Sequence, residues 1–597
     1  MRGELGRAFV EVSAVHAARG AADVAGELRP TRRMADASKT HYNRAPNMES
    51  LPQIQSAVWL WAGLPALVLA AVVLTLMLRL PQLTRVADGF RAINAHDPKA
   101  VGSVHPATAI ALSTAATVGA GAVVSACMAI GLGGTGALAW LWLFGFLMAP
   151  LRLAESLLAR TAPPGKAGKK AREDGSLAAR LSADRQSGVA MLGQALFVLA
   201  PIAAVTIVGG LHGTAVVDAA EQLLPGSAEP IGFAVATAAA LFAFFGRDKT
   251  WLGWTALGAL TVLVAACGVA VLFDGGRAIG MLSTVFDDAV HGMPQMRSFS
   301  GALVGEIAGA SLSTMLPVIA GSSGLDGSLA SLAQPRSAKA YASAAMLPVL
   351  AHVVIATFVG LAIGATQAHA RPVDGSRRLA ELRFYDSPFE TTSQRMEPER
   401  VWHGFIRVLD GTAQALPLEL GTERGMVEEP RFEEADGTPG DFAIQITDGR
   451  VSRILRPDPD GALIDAPIEG VAHIVVRGRM LPTGGALFAA AMSRGGGDLA
   501  SRAALAALMV LAALGAAAMG LALARMFRAR VTENGARAIS ALPAIGLVLG
   551  ATSFGPTLAG IGAIVAALMT GIVAIAVIAR VREIALGAPK RSGASPK

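Results

Sequence analysis

Glycines interrupt an apolar stretch of the sequence that is long enough to cross a membrane. The stretch from Thr114 to Trp142 reads TAATVGAGAVVSACMAIGLGGTGALAWLW. It is interrupted at the pair Gly119 and Gly121 and again at Gly131, Gly133 and Gly134. Glycine in a membrane helix either lets a neighbouring helix approach closely or marks a point where the helix unwinds, so that its backbone N–H and C=O groups can bind a ligand. Taken alone, the pair favours close packing.

Polar side chains within other apolar stretches are further candidates for chemistry. Glu306 could carry a proton or coordinate a cation, because an acid inside a membrane is costly and usually functional, or it could lie in water near the end of its helix. His352 could relay protons or could bond a backbone carbonyl. The hydroxyls of Ser311, Ser313 and Thr314 could be ligands or could bond back to their own helix.

Composition places the chain among multi-pass membrane proteins. Of its 597 residues 53% are hydrophobic and 16% charged, and the mean hydropathy is +0.50, which excludes a soluble protein of this size. Windows of about 20 uncharged residues predict some eleven membrane-spanning helices. They lie near 57–79, 106–131, 135–158, 188–211, 230–246, 251–273, 301–320, 342–366, 499–524, 538–555 and 557–579.

Lys and Arg in the connecting segments predict the orientation. Residues 160–187 carry basic side chains repeatedly, whereas 213–229 carries acidic residues and neither Lys nor Arg. Basic loops favour the cytoplasmic side. We therefore expect a multi-pass protein of the cell (inner) membrane with a cytoplasmic C-terminus and with the start of the first span outside.

The first fifty residues do not fit that orientation. The segment 1–50 is basic and has no apolar signal segment to carry it across a membrane. It is therefore either a disordered tail or a mis-assigned start, with translation beginning at Met34 or Met48.

A polar segment separates the last three predicted spans from the others. Residues 371–482 alternate apolar with polar side chains, and Asp448-Gly449 between two such runs indicates a two-residue β-hairpin. A further strand is predicted at 471–476. Span counting makes this segment an extracytoplasmic β-rich insert: either a cap or interaction module, which leaves a protein partner open, or a ligand-binding domain. The predicted divisions are 1–50 tail, 51–370 spans one to eight, 371–482 insert, 483–585 spans nine to eleven, and 586–597 cytoplasmic tail.

The residues around the first interrupted stretch resemble a transporter family. The order T-A-L-A-A-T-V-G-T-G-N-I, then A-I-x-x-G-G-P-G-A-x-x-W-M-W, then K-x-x-E is typical of the alanine or glycine:cation symporter family, also called the sodium:alanine symporter family. The matching positions here are Thr117, Val118, Gly119, Gly121, Gly133, Gly134, Gly136, Ala137, Trp140, Trp142 and Glu155. A second stretch, 298–321, resembles the family's R-G-L-F-S-N-E-A-G-x-G-S-A-P through Glu306, Ala308 and Gly309.

The resemblance implies an all-α, leucine-transporter-type fold of two inverted repeats, whose second and seventh spans are broken at the bilayer midplane. It implies cation-coupled symport of a small neutral amino acid of the alanine or glycine class, with no catalytic residue, no metal centre and no cofactor beyond the coupling cation, Na⁺ or H⁺. The expected partners are the amino acid and the lipid bilayer, and no nucleic acid. The implied binding residues are Thr117, Gly119, Gly121, Glu306 and Gly309, with Ser311, Ser313 and Thr314 as candidate replacement ligands.

The sequence departs from the family where sodium ligands are expected. The family's T-G-N is Ala120-Gly121-Ala122 here, and a Ser-Thr pair in the ninth span is replaced by Gly515 and Ala516. Proton coupling through Glu306, with His352 as a relay, is therefore as plausible as sodium coupling. The alternative is a non-transporting relative that anchors or senses through the insert. Arg152 and Glu155 are expected to be snorkelling residues at the membrane interface.

Overall fold

The computed structural model divides the chain into two compact units, residues 1–51 and residues 52–597, and the elements that carry the site lie in the second. It describes residues 50–100, 102–160, 175–184, 187–224, 228–245, 249–291, 316–379, 382–386, 402–414, 418–422, 425–434, 436–458, 463–466, 474–552, 554–581 and 584.

Helices dominate the described chain. Two pairs of consecutive helices are joined by a π-helical turn. The turns are Trp59–Gly63 and Val208–Gly213. In chain order the helices are α1 (Ser50–Val58), α2 (Leu64–Met77), α3 (Pro81–Thr84), α4 (Val86–Ile93), α5 (Pro106–Thr117), α6 (Gly121–Gly133), α7 (Ala137–Arg160), α8 (Leu177–Ser182), α9 (Ser187–Ile207), α10 (Thr214–Leu223), α11 (Ala228–Phe245), α12 (Lys249–Phe273), α13 (Gly275–His291), α14 (Asp326–Ala330), α15 (Ala338–Ala344), α16 (Leu347–Thr366), α17 (Gly484–Phe527), α18 (Glu533–Ser540), α19 (Leu542–Gly550) and α20 (Gly555–Ala579).

Eight helical stretches within the described residues are long and apolar enough to cross a membrane. They coincide with eight of the eleven predicted windows. They are Ile54–Met77, Pro106–Gly131, Ala137–Arg160, Gly188–Leu223, Thr250–Phe273, Ala338–Thr366, Gly484–Phe527 and Gly555–Ala579.

The three other predicted windows have different outcomes. The fifth, 230–246, contains a shorter apolar helix, Pro230–Ala243. The tenth, 538–555, is not one long helix, because α18 ends at Ser540 and α19 starts anew with Pro543 in its first turn. The seventh, 301–320, lies outside the described residues except for its last part.

The second span is broken where its glycines predicted an interruption. Helix α5 ends at Thr117, Gly119 adopts φ +45°, and α6 begins at Gly121. The left-handed backbone at Gly119 costs little without a Cβ, which explains glycine there. Every residue in the apolar window of Pro106–Gly131 is buried, against a third of the window in Ile54–Met77. The broken helix is thus central, and the first span is peripheral.

A second interruption follows the predicted seventh window. Residues 316–320 are helical, residues 321–325 form turns in which Gly324 has φ +81°, and α14 then begins at Asp326. All of residues 316–333 are buried. An irregular backbone in this position lies inside the protein, where its polar groups can find partners.

Helix α17 consists of two arms. Gly497, with φ +72°, breaks its helical geometry between the segment that starts at Gly484 and the segment that ends at Phe527. The predicted ninth span, 499–524, is the second arm. The first arm leads into the bundle from the β-rich insert.

The insert is built of strands, as predicted. Three sheets have the strand orders β1-β11-β7, β10-β9-β8-β3-β4 and β2-β5-β6. The strands are β1 (Val373–Arg378), β2 (Arg383–Asp386), β3 (Gly404–Leu409), β4 (Thr412–Ala413), β5 (Leu418–Thr422), β6 (Gly425–Met426), β7 (Glu428–Glu433), β8 (Phe442–Thr447), β9 (Arg450–Pro457), β10 (Leu463–Ala466) and β11 (Val475–Met480). They enclose an apolar core of their own, separate from that of the helices.

Two details of the insert test the sequence predictions. Strands β8 and β9 form the predicted hairpin, and Asp448 and Gly449 both have positive φ, as a type I′ turn requires. The strand predicted at 471–476 begins later, at Val475, and residues 467–473 lie outside the described part. The first and last strands, β1 and β11, pair antiparallel, so the insert enters and leaves the helical bundle at one place.

Candidate functional site

The two interruptions of the helical bundle contact each other. The hydroxyl of Thr117, the last residue of α5, lies 3.1 Å from the hydroxyl of Ser322 in the second interruption, and both side chains are buried. The two residues are 205 positions apart in the chain. The interruptions therefore form one site in the centre of the bundle.

Ser322 uses its full hydrogen-bonding capacity. Its oxygen lies 2.9 Å from Arg152 Nη2, and its hydroxyl donates to Asp326 Oδ2 at 3.2 Å. A hydroxyl has one proton and two lone pairs. Because Arg152 can only donate and the Ser322 proton goes to Asp326, Thr117 is the donor in its bond with Ser322.

A cluster of three buried charges lies beneath the second interruption. Arg152 Nη1 lies 3.2 Å from Glu155 Oε2 and 2.8 Å from Asp326 Oδ2, and Arg152 Nη2 also donates to the Ile319 carbonyl at 2.8 Å. Glu155 Oε1 accepts from the Gly327 backbone N–H at 3.3 Å. The charge cluster of Arg152, Glu155 and Asp326 thus ties α7 to the irregular backbone.

The prediction for Arg152 and Glu155 was wrong. Neither side chain snorkels, since both are fully buried. They lie one turn apart near the end of an apolar helix, where interface residues are also common, and only the fold reveals that this turn faces the second interruption. The cluster has one cation and two carboxyl groups, and Asp326 Oδ1 is buried without a hydrogen-bond partner among the described residues.

His352 contacts the first interruption. Its Nδ1 lies 3.3 Å from the carbonyl oxygen of Thr117, to which it donates. The imidazole is fully buried, and its Nε2 has no partner within the described part of the chain. A bond to a backbone carbonyl is one of the two roles considered for this histidine. The carbonyl belongs to the broken helix, so the imidazole lies beside the first interruption.

A second histidine, His212, faces the same interruption from α9–α10. It lies in the π-helical turn, whose glycines pack against α19 and α20: a Cβ at Gly209 would lie 2.6 Å from the Gly546 carbonyl oxygen, and one at Gly213 would lie 2.7 Å from Gly550. Close packing on that side leaves the imidazole directed to the other side, toward Gly119. Such π-turns are frequent at functional sites.

The imidazole of His212 fills the space between three helical segments. A Cβ at Gly119 would overlap its Cε1, a Cβ at Gly121 would lie 3.3 Å from its Nε2, and a Cβ at Gly515 in α17 would lie 2.6 Å from its Cε1. His212 is buried, and its Nδ1 has no partner among the residues described. The sequence analysis did not single out His212, although a lone imidazole within the glycine-rich VGGLHG was the available signal.

The predicted site residues divide into two groups. Thr117, Gly119 and Gly121 lie at the first interruption, and His352 contacts it. The others lie outside the described residues, so their predicted roles remain predictions. They are Glu306, Gly309, Ser311, Ser313 and Thr314.

Residues that the sequence did not predict complete the site. Ser322 and Asp326 were missed because the predicted seventh window stopped at 320, just before the turns that carry them. Ser323, in the same turns, lies 3.4 Å from the hydroxyl of Thr570 on α20. The site therefore joins α5–α6, α7, the second interruption, α9–α10, α16, α17 and α20.

Comparison with known proteins agrees with the family resemblance seen in the sequence. A model of the sodium:alanine symporter family matches residues 47–309, which include the first interruption, Arg152, Glu155 and His212. A comparison with curated protein sequences gives no match. The family match confirms the resemblance seen in the sequence, and together with the eight apolar helices among the described residues it supports a multi-pass membrane protein similar to a family of transporters.

Proposed function

We propose that the protein is a cation-coupled symporter of a small neutral amino acid, of the alanine or glycine class, built on an inverted-repeat fold of the leucine-transporter type. The observation that carries this proposal is the hydrogen bond between Thr117 and Ser322, which joins two interrupted helices in the buried centre. Interrupted helices at this depth are typical of secondary transporters, because their backbone groups bind substrate and ions there.

The surroundings of the first interruption favour a small substrate. Gly119, Ala120, Gly121 and Ala122 are all buried and offer no side chain longer than a methyl group. An amino acid zwitterion would find backbone dipoles there instead of charged side chains. The positive end of a half-helix suits its carboxylate.

The charge cluster favours coupling to a cation. With both carboxyl groups ionised, Arg152, Glu155 and Asp326 together carry one negative charge in excess, and all three side chains are buried. A buried excess charge is costly unless it is neutralised, and a proton or a bound cation would do so. Glu306, outside the described residues, remains the predicted proton-carrying acid of the second broken helix.

Uptake into proteoliposomes tests the proposal. Purified protein is reconstituted, labelled alanine and glycine are supplied, and a sodium gradient or a proton gradient is imposed in separate arms. Glu306→Gln tests the predicted acid, and Gly258→Ala, at an open position of α12, is the matched control. We expect accumulation under one of the gradients. Proton-driven uptake that Glu306→Gln abolishes would assign the coupling to that carboxyl group.

One outcome would favour the alternative function. If folded protein accumulates neither amino acid under either gradient, the chain is better explained as a membrane anchor or sensor. The β-rich insert is the feature that supports such a role, because its separate apolar core makes it a folded module in its own right.

A further inference from the structure

The resemblance assigns the family's sodium ion to the space between the first broken helix and the ninth span. In this protein that space is between Gly119 and Gly515, since the Cβ positions of both glycines point at the same ring atom, His212 Cε1. The Ala115 carbonyl oxygen would lie 3.0 Å from a Cβ at Gly515, so it borders the same space.

The described residues around this space do not suit a sodium ion. Sodium needs several oxygen ligands, but Gly119, Gly121 and Gly515 have no side-chain oxygen. Both oxygens of Thr117 are already bonded, the hydroxyl to Ser322 and the carbonyl to His352. The imidazole itself takes up the volume that an ion and its ligands would need.

The sequence changes and the histidine fit each other. A serine at position 515 would bring its Cβ within 2.6 Å of the ring, closer than real Cβ contacts, so the imidazole requires glycine there. The glycines that replace the family's oxygen ligands therefore also leave the space that the His212 imidazole fills.

We infer that the imidazole of His212 takes the place of the sodium ion between the first broken helix and α17, and that this protein holds no Na⁺ at that position. The side chain then joins the two helices that a sodium ion would join. The inference deepens the proposed function, since it excludes one coupling site, but its test does not depend on transport.

A double-mutant cycle tests where the imidazole lies. Gly515→Ala should lower the unfolding temperature of the purified protein by a few degrees, because the new methyl group presses on the ring. In a His212→Ala background the same substitution should cost clearly less, because only the 3.0 Å contact with the Ala115 carbonyl oxygen remains. Gly520→Ala is the matched control: it lies on the same helix, its Cβ would overlap the Ser540 carbonyl oxygen, and it should be equally harmful in both backgrounds.

Equal losses from Gly515→Ala in both backgrounds would overturn the inference, because the ring would then not occupy the space. If His212→Ala does not fold, His212→Asn serves as the background, since it removes the ring but keeps a polar side chain.

Sodium binding is tested on the same samples. NaCl and KCl at equal ionic strength should shift the unfolding temperature of the unsubstituted protein by the same amount, because no sodium ion binds between Gly119 and Gly515. A saturable shift specific to NaCl that Gly515→Ala abolishes would place an ion there and overturn the inference. Absence of uptake in the transport assay would count against the proposed function alone, whereas these two measurements decide on His212.

Discussion

Ser322 joins the hydroxyl of the first interruption to the charge cluster of the second. It accepts from Arg152 and Thr117 and donates to Asp326, so its loss affects both sides of the site. A buried hydroxyl whose proton and lone pairs all form hydrogen bonds stabilises the fold, whereas removing it leaves buried polar partners without a hydrogen bond, which is costly.

A double-mutant cycle measures the bond between the interruptions. Thr117→Val and Ser322→Ala should each destabilise the protein, and their effects should fall short of additivity by about 0.5–1.5 kcal/mol, the usual net value of a hydrogen bond. The measurement is the free energy of unfolding of the purified variants. Strict additivity would show that the two hydroxyls do not share a bond.

Arg152 pairs with both carboxyl groups of the charge cluster and is its one cation among the described residues. Arg152→Met should cost about 3–5 kcal/mol, because it leaves buried carboxylates uncompensated. The measurement compares the free energies of unfolding of this variant and of Arg152→Lys. Lysine keeps the charge but loses the second arm of the guanidinium. A loss below about 1 kcal/mol, the usual value for an exposed ion pair, would instead support the interface location that the sequence suggested.

At this scale the sequence predicted residues that repeat a family pattern and missed those that only the fold brings together. Thr117, Gly119 and Gly121 follow the pattern. Ser322 and His212 do not, and their importance depends on contacts between positions far apart in the chain. No local signal distinguishes a buried Arg152 from a snorkelling one.

The broken second span is the element around which the site is arranged. Its two halves, α5 and α6, are separated by residues 118–120, of which Gly119 alone is left-handed. Only glycine adopts that conformation without strain, and His212 also leaves no space for a Cβ.

Gly119→Ala should therefore destabilise the protein, by about 1–2 kcal/mol from backbone strain alone and more from the contact with His212. Thermal unfolding of the purified variant measures the loss, and Gly258→Ala, at an open position with ordinary helical geometry, should show none. A variant of Gly119 as stable as the Gly258 control would mean that the helix does not break there.

Periodicity and apolar length predicted most elements because each long span is a local property of the chain. The boundaries failed where the backbone turns inside the protein. Proline in the first turn of α19 divides the tenth window, and the Gly-Ser-Ser-Gly of residues 321–324 has the composition of a loop at the end of a span, which hides the second interruption. The hairpin of β8 and β9 was predictable because Asp448-Gly449 specifies its turn locally.

Contacts across the whole molecule gather the basic ends of the helices at one end of the bundle. Arg160 bonds the Ala330 carbonyl, Arg525 Nε lies 3.2 Å from Ser331 Oγ, and Arg580 pairs with Asp184. These contacts link segments that the sequence assigned to one side by their charge alone.

The β-rich insert lies at the opposite end. The stretch Gly188–Leu223 starts beside Asp184 at the basic end and reaches Asp218 near its other end. There Asp218 Oδ2 accepts from the Gly485 backbone N–H at 2.8 Å, directly after the insert rejoins the bundle. Because basic ends favour the cytoplasm, we expect the insert to face outside.

Cysteine labelling on intact cells tests this orientation. The native Cys127 and Cys267 are buried and are replaced by alanine, and single cysteines are introduced at Lys99, which is exposed at the basic end, or at Thr412, which is exposed on the insert. A membrane-impermeant maleimide should label Thr412→Cys on intact cells and Lys99→Cys only after the membrane is opened. Both should be labelled in detergent, which controls for access. The reverse pattern would place the basic end outside and would contradict the charge rule, because the contacts leave the two positions on opposite sides in either case.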